Sequence, residues 1–160
     1  MIGIVIVTHG NLAREFKAVI EHVMGPQIQF CAFGIQNEDD ISQKRKELLK
    51  IVQSLDQGMG VAILTDMFGG TPSNLALSLL DLKNVEVMAG VNLPLLIKLI
   101  SLRDKKSLQE SMKEAQEAGQ RYIKSGISLS GGFQRVRLPL NNGLPWKTLR
   151  DYTHEQRRNL

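Results

Sequence analysis

The chain has 160 residues, a length that suits one domain, or one domain with an appendage, and allows a sizeable hydrophobic core. Its composition, with 42% hydrophobic and 22% charged residues, is that of an ordinary globular protein and excludes wholesale disorder. The formal net charge of +4 suggests a nucleic acid or a membrane surface as a partner, unless the charge is confined to one segment.

The positive charge is confined to the end of the chain. Residues 1–130 hold 14 Lys and Arg against 14 Asp and Glu, whereas residues 131–160 hold six basic residues against two acidic ones. A nucleic-acid-binding domain would spread basic residues over one face, usually with stacking aromatics, and only 5% of this chain is aromatic. We therefore predict a domain over 1–130 that binds no nucleic acid, followed by a basic tail over 131–160.

Signals for targeting and disulfide formation are few. The N-terminal run reaches His9 with no basic segment before it, which is not typical of a signal peptide. No apolar run approaches the length of a membrane span, and a single cysteine, Cys31, excludes a disulfide framework. We therefore expect a cytoplasmic protein.

Strands and helices alternate along the first half of the chain. A β-branched run predicts a first strand over Ile2–Val7, followed by a helix that Asn11 caps and Gly25 ends. Ile28–Phe33 is predicted as a second strand. The next helix opens at Asp39, Asp40 and Ile41, where acidic side chains suit the positive end of the helix dipole.

The alternation continues through the second half. Val61–Thr65 and Val85–Ala89 are predicted as the third and fourth strands. A helix follows each of them, the first with Thr71 as N-cap and the second near Pro94–Ile100, and a last helix begins with a capping box at Ser107. This order predicts an α/β domain with a mainly parallel sheet and helices on both faces.

The pattern changes from Ser125 onward, where Gly, Pro and Asn residues interrupt it. Within this segment, the apolar residues of Val136–Leu140 alternate with Arg137 and Pro139, which permits one short edge strand. The tail is too short for a second domain.

Polar residues follow three of the predicted strands. His9 follows the first strand, Asp66 and a glycine-rich turn follow the third, and Asn92 follows the fourth. In open parallel sheets, ligands bind beyond the carboxyl ends of the strands, where the strand order reverses. With the order 2-1-3-4, the first and third strands are neighbours, and His9 and Asp66 lie side by side.

A histidine beside a carboxylate suits phosphoryl transfer. Neutral imidazole, with an unperturbed pKa of about 6.5, is a nucleophile at neutral pH. A carboxylate on one ring nitrogen leaves the lone pair of the other free to attack. The turn at Gly69, Gly70 and Thr71 opens a helix, whose free N–H groups can hold an anion. These features predict a phosphohistidine site at His9 with Asp66 as its partner and with no metal.

Each of these residues also has a structural explanation. His9 alone is a plausible loop residue, Asp66 a turn residue, and Asn92 the N-cap of the next helix. The other two histidines, His22 and His154, have no metal-ligand spacing with His9 or with the cysteine. The argument for chemistry therefore depends on the three clusters falling on one edge of the sheet.

Three segments, IGIVIVTHG, TDMFGGTPSN and AGVNLPLL, resemble enzyme IIA of the mannose-type (mannose/fructose/sorbose) phosphoenolpyruvate-dependent sugar phosphotransferase system (PTS). The resemblance covers about residues 1–130 and implies a flavodoxin-like open sheet in a homodimer. It implies that His9 accepts a phosphoryl group from the histidine phosphocarrier protein HPr and passes it to a histidine of a IIB protein, without a cofactor.

The same resemblance assigns the other site residues. Asp66 matches the carboxylate partner of the histidine, and Asn92 lies in the matching third loop. The residues that match the phosphate-facing turn are Gly69, Gly70, Thr71 and Ser73. In the mannose-type dimer a C-terminal strand can cross to the partner's sheet, a part that Val136–Leu140 or Ile127–Leu129 would play here.

The chain also departs from the best-known members of this family. No IIB domain follows in this sequence, and the tail is not the Ala/Pro-rich linker of fused proteins. We therefore expect a free-standing IIA whose acceptor is a transporter component or a regulatory protein. Any membrane association would be indirect, through a permease complex. The sugar is not specified, because no sugar-binding step belongs to this component.

Two other functions remain open from the sequence. A dihydroxyacetone kinase uses a similar IIA-like domain as its phosphotransfer subunit. The second alternative is a non-catalytic regulatory domain, in which the same edge of the sheet binds an anion or a partner without covalent chemistry.

Overall fold

The computed structural model describes residues 1–126, in which four strands and five helices alternate. The predicted strand segments at 127–129 and 136–140 lie outside the described residues. The described elements, in chain order, are β1 (Gly3–His9), α1 (Leu12–Met24), β2 (Phe30–Ile35), α2 (Ile41–Leu55), β3 (Val61–Thr65), α3 (Thr71–Leu77), β4 (Val85–Ala89), α4 (Leu93–Leu102) and α5 (Leu108–Arg121).

The four strands form one parallel sheet in the order β2-β1-β3-β4. This confirms the predicted α/β class and strand order. In the two central strands, every residue of Ile4–Val7 and Val61–Leu64 is fully buried, as expected for parallel strands covered on both faces. Val7 pairs with Phe33 on one side and with Thr65 on the other, so the carboxyl ends of these strands lie together.

Two hydrophobic cores lie on opposite faces of the sheet. Successive residues of β1 point to opposite faces, so Ile4 and Ile6 contribute to one core and Val5 and Val7 to the other. The first core receives α1, α4 and α5, and the second receives α2 and α3. The sheet is therefore covered on both faces, as the alternation predicts. No helix within residues 1–126 is both long and apolar enough to cross a membrane.

The starts of four helices show how accurate the boundaries predicted from the sequence are. Asp40 caps α2, and Ser107 forms the predicted capping box of α5. Thr71 was predicted as the N-cap of α3, but Gly70 has that position in an extended conformation and Thr71 is the first helical residue. Asn11 lies at the N-cap of α1 without a side-chain capping bond, and the Thr8 hydroxyl accepts the Ala13 N–H of the first turn instead.

Candidate functional site

His9 and Asp66 meet at the carboxyl edge of the sheet. His9 ends β1, Asp66 follows the last residue of β3, and these strands are paired neighbours. His9 Nδ1 lies 2.8 Å from Asp66 Oδ2, and the backbone N–H of His9 donates to the same oxygen at 2.9 Å. One carboxylate oxygen therefore holds both the backbone and the ring of the histidine.

The contact defines which ring nitrogen is available for reaction. A carboxylate accepts, so the proton of a neutral His9 belongs on Nδ1 and the lone pair on Nε2. The His9 side chain is 46% exposed, whereas that of Asp66 is 14% exposed. The histidine is thus open to a partner molecule while its orienting carboxylate is largely covered.

The carboxylate of Asp66 is held in its ionised form. Burial raises the pKa of Asp66, but hydrogen bonds from the His9 backbone, the His9 ring and the Met67 backbone outweigh burial and hold this pKa below its ordinary value. The Met67 N–H donates to Oδ1 at 2.9 Å, so both carboxylate oxygens are engaged. At neutral pH, Asp66 is therefore available to balance positive charge on the imidazole.

The turn between β1 and α1 is fixed by a residue that the sequence analysis missed. Thr8 is fully buried, and its Oγ1 accepts the Ala13 N–H at 2.7 Å while lying 3.2 Å from the His9 carbonyl oxygen. Gly10, in the left-handed region at φ +54, donates its N–H to Ile35 O at 2.8 Å. Thr8, which directly precedes His9, therefore ties the end of β1 to the first turn of α1. A threonine shortly before a helix is a pattern from which this role could have been predicted.

The glycine-rich turn lies against the imidazole. Gly69 has φ +84, in the region that favours glycine, and redirects the chain into α3. A Cβ on Gly70 would lie 2.7 Å from His9 Cε1 and 3.2 Å from Nε2. The structure therefore places Gly70 beside Cε1 and Nε2 of the imidazole, and Nε2 is the nitrogen with the free lone pair.

Thr71 and Ser73 differ in their access to solvent. Thr71 is exposed at the first position of α3. Ser73 is only 1% exposed, and its Oγ has no hydrogen-bond partner within residues 1–126. Pro72, between them, has no N–H, so the turn offers fewer backbone donors than a helix start without proline. The phosphate-binding role of these residues remains a prediction.

Asn92 has a structural role as the N-cap of α4 and as a link to α5. Its Oδ1 accepts the Leu95 N–H at 3.0 Å as N-cap of α4, and its Nδ2 donates to Gly119 O at 3.1 Å. These bonds join the third loop to α5 and use both ends of the amide. The predicted contact of Asn92 with a ligand remains a prediction, since the cap explains the residue without one.

We expect Gly70→Ala to slow phosphorylation of His9 by about 10- to 100-fold, because the new Cβ would displace the ring from its place. Gly3→Ala is a matched control, since its Cβ would lie 2.8 Å from Leu55 Cβ at the far edge of the sheet. Rates are measured at a temperature at which thermal melts show both variants folded. Equal rates in the two variants would contradict a role for Gly70 beside His9.

Among residues 1–126, no group of three or more His, Cys, Asp or Glu side chains is placed to hold a metal ion.

Comparison with protein families and curated proteins gives consistent matches. The family EIIA-man, described as "PTS system fructose IIA component", matches residues 3–116. The chain is 35% identical over 131 residues to the PTS system mannose-specific EIIAB component of Escherichia coli (strain K12), covering 78% of this chain and 39% of that protein. It is 30% identical over 99 residues to the PTS system sorbose-specific EIIA component of Lacticaseibacillus casei, covering 60% of this chain and 70% of that one. The chain thus spans 39% of the length of the mannose-specific relative.

Solved structures support the same fold. The crystal structure of the PTS IIA protein associated with the fucose utilization operon from Streptococcus pneumoniae superposes with a TM-score of 0.64 at 34% identity. The match covers 72% of this chain and 88% of that one. The strand order deduced from the sequence is therefore the architecture of a known group of proteins.

Proposed function

Since the chain belongs to the mannose-type enzyme IIA family, we propose that it is a phosphohistidine carrier of a sugar phosphotransferase system. In this proposal His9 accepts a phosphoryl group from HPr and passes it to a histidine of a IIB protein in the cytoplasm. The observation that carries the proposal is the 2.8 Å contact between His9 Nδ1 and Asp66 Oδ2, which leaves Nε2 free. Neither the dihydroxyacetone kinase subunit nor the non-catalytic regulatory domain is favoured by the relatives.

The proposed reaction is a direct displacement at phosphorus. The Nε2 lone pair of His9 attacks the phosphorus of the donor phosphohistidine as the P–N bond of the donor breaks, and the electron pair of that bond returns to the donor imidazole. The proton of His9 stays on Nδ1, where Asp66 stabilises the positive charge that develops on the ring. The same steps in reverse deliver the group to the acceptor.

The turn after β3 supplies the proposed phosphate-binding residues. Gly70 adjoins Nε2, so a phosphoryl group there would lie close to the backbone at Gly69 and Gly70. We assign hydrogen bonds to this group from the hydroxyls of Thr71 and Ser73, the latter because its buried Oγ has no partner within residues 1–126. For Asn92 we propose a supporting role, in which it holds the third loop against α5.

Transfer onward from the phosphorylated protein distinguishes the proposal from its alternatives. The protein is phosphorylated with phosphoenolpyruvate, enzyme I and HPr, separated from them, and mixed either with a IIB protein or with a dihydroxyacetone-binding subunit holding ADP. We expect loss of phosphate only to the IIB protein. Transfer to ADP would support the kinase subunit, and absence of any phosphate uptake would support the non-catalytic domain.

We further propose that the protein forms a homodimer through a C-terminal strand, supplied either by Val136–Leu140 in the tail or by Ile127–Leu129 just before it. Within residues 1–126, β4 pairs with β3 alone, so its other edge is available to a further strand. Val136–Leu140 has the alternation of apolar and other residues that is typical of an edge strand, and Ile127–Leu129 contains the β-branched Ile127.

Deleting residues 131–160 tests the tail strand. We expect the truncated protein to lose dimer mass in light scattering, because an edge strand that completed the sheet would be missing. A point variant, Leu138→Lys, keeps the tail and changes only the apolar side of the predicted strand, so we expect it to lose dimer mass as well. An unchanged mass in both proteins would contradict a role for the tail in dimerisation.

A further inference from the structure

We propose that a cleft at the amino ends of β3 and β4 binds an amino polyol, a small molecule that carries one ammonium group and several hydroxyl groups. The cleft has a volume of about 400 Å³, which is in the range of small-molecule sites. It lies at the opposite edge of the sheet from His9, because parallel strands all begin at one edge and end at the other. We call it the amino-edge cleft, and the side chains that the argument uses are those of Met59, Asn84, Glu86, Leu108 and Gln109.

Glu86 supplies an unpaired negative charge to the amino-edge cleft. It lies between Val85 and Val87, which pack against the second core, so its side chain points to the other face of β4. The residue is half-buried, and its carboxylate forms no ion pair or hydrogen bond within residues 1–126. A partly buried carboxylate is stabilised by a cation, so this position favours a positively charged ligand.

The basic residues that adjoin the cleft in the sequence do not neutralise this carboxylate. Lys83 directly precedes Asn84 and forms no ion pair in the part of the chain that the structure describes. Lys106, directly before the N-cap of α5, pairs with Glu114 instead. The charge of Glu86 is therefore available to a cation from outside these residues.

Two amide side chains add hydrogen-bonding groups to the cleft. Asn84 and Gln109 are exposed, and their side chains make no hydrogen bond with other residues of 1–126. An amide both donates and accepts, as a hydroxyl does, so the two side chains match the hydroxyl groups of a polyol. Met59 and Leu108 contribute apolar surface against which the carbon chain of the ligand can pack.

The walls of the cleft are fixed by contacts within the protein. Asp56 Oδ1 accepts the backbone N–H of Gly58 at 2.9 Å and that of Gly60 at 3.0 Å. Gly60 has φ +84, and a Cβ at this position would lie 2.5 Å from Asn84 O. The capping box at Ser107 holds the start of α5. A site whose walls are already held loses little conformational entropy when a ligand binds.

Titration of the isotope-labelled protein with glucamine, followed by NMR, tests the site. Glucamine is the amine analogue of sorbitol, so sorbitol is its matched control, with a hydroxyl in place of the ammonium. We expect glucamine to shift the backbone amide signals of Asn84, Glu86 and Gln109. Its Kd should be at least about tenfold below that of sorbitol, because a charge-assisted hydrogen bond to Glu86 is stronger than a neutral one. Methylammonium, which has the charge without the hydroxyls, should bind at least about tenfold more weakly than glucamine.

The variant Glu86→Gln removes the charge and keeps the shape of the side chain. We expect it to bind glucamine at least about tenfold more weakly than wild type, with a Kd for sorbitol within about twofold and an unchanged melting temperature. Glu38→Gln makes the same change at an exposed acid between β2 and α2, at the carboxyl edge of the sheet. This control should bind both ligands as wild type does.

The outcomes are independent of phosphoryl transfer, since binding is measured on the unphosphorylated protein. Equal Kd values for glucamine and sorbitol, or for glucamine with Glu86→Gln and with wild type, would overturn the inference. Methylammonium that binds as tightly as glucamine, or the absence of signal shifts at the cleft, would do the same. If glucamine binds as expected and HPr does not phosphorylate the protein, the amino-edge cleft stands while the proposed function fails.

Discussion

Replacement of His9 by glutamine is expected to abolish phosphate uptake from HPr completely. The glutamine amide can still donate to Asp66, so the loop keeps a hydrogen bond, but it has no nucleophilic nitrogen. Because the His9 side chain is 46% exposed, we expect the fold to survive the change. Phosphate incorporation is measured by intact mass under alkaline conditions, in which phosphohistidine is stable.

A second histidine provides the control for this experiment. His22 lies in the last turn of α1 and is exposed. The variant His22→Gln therefore removes an exposed imidazole without changing the site at His9. We expect His22→Gln to be phosphorylated as fully as wild type. Phosphate uptake by His9→Gln would remove His9 from the proposed reaction.

Replacement of Asp66 by asparagine is expected to slow transfer by about 10²- to 10⁴-fold with the fold intact. Two effects act together. The asparagine amide can donate to Nδ1 and so stabilise the tautomer whose proton is on Nε2, which blocks attack. It also lacks the negative charge that balances the phosphorylated ring. Single-turnover transfer from phosphorylated HPr measures the rate, with Asp81→Asn, at an exposed acid, as control.

The same substitution changes the pH dependence of stability. The pKa of Asp66 is below its ordinary value of 3.8 in the folded protein, so ionised Asp66 stabilises the fold above that value. This contribution is lost as the pH falls below 3.8 through the folded-state pKa. The difference in unfolding free energy between wild type and Asp66→Asn should therefore shrink in that acidic range. A rate equal to wild type, or a stability difference that does not change with pH, would contradict the role given to Asp66.

Much of the scaffold follows from local patterns. The apolar runs Val61–Thr65 and Val85–Ala89 are bounded by clear turn residues, and both were predicted with the boundaries that the structure has. The pairing of His9 with Asp66 follows from chain order and from the parallel arrangement, since adjacent parallel strands end at the same edge. No side-chain detail was needed for that inference.

The predicted ends of β1 and β2 were less accurate, and the reason is physical. β1 runs to His9 and β2 to Ile35, two residues beyond the predicted ends, because backbone pairing continues where the apolar pattern has stopped. Side-chain hydropathy does not report such pairing. In the same way, the sequence could not show that Gly70, and not Thr71, would be the N-cap of α3, since both are acceptable there.

The surroundings of some residues near the site could not be predicted from the sequence. The Met67 N–H donates to Asp66 Oδ1, a bond that is set by the turn geometry. Phe68 is of a residue type that is usually buried in the core, and only the structure shows that it is exposed to solvent. Burial of an apolar side chain depends on which neighbours the fold provides, and a one-dimensional pattern does not contain them.

The central claim is that His9 carries the phosphoryl group. Its most direct test is peptide mapping by mass spectrometry of the wild-type protein after incubation with phosphoenolpyruvate, enzyme I and HPr at alkaline pH. We predict a single phosphoryl group per chain, on the peptide that contains His9, and its loss in mild acid. Phosphate on another residue, or none while HPr itself is fully phosphorylated, would contradict the claim.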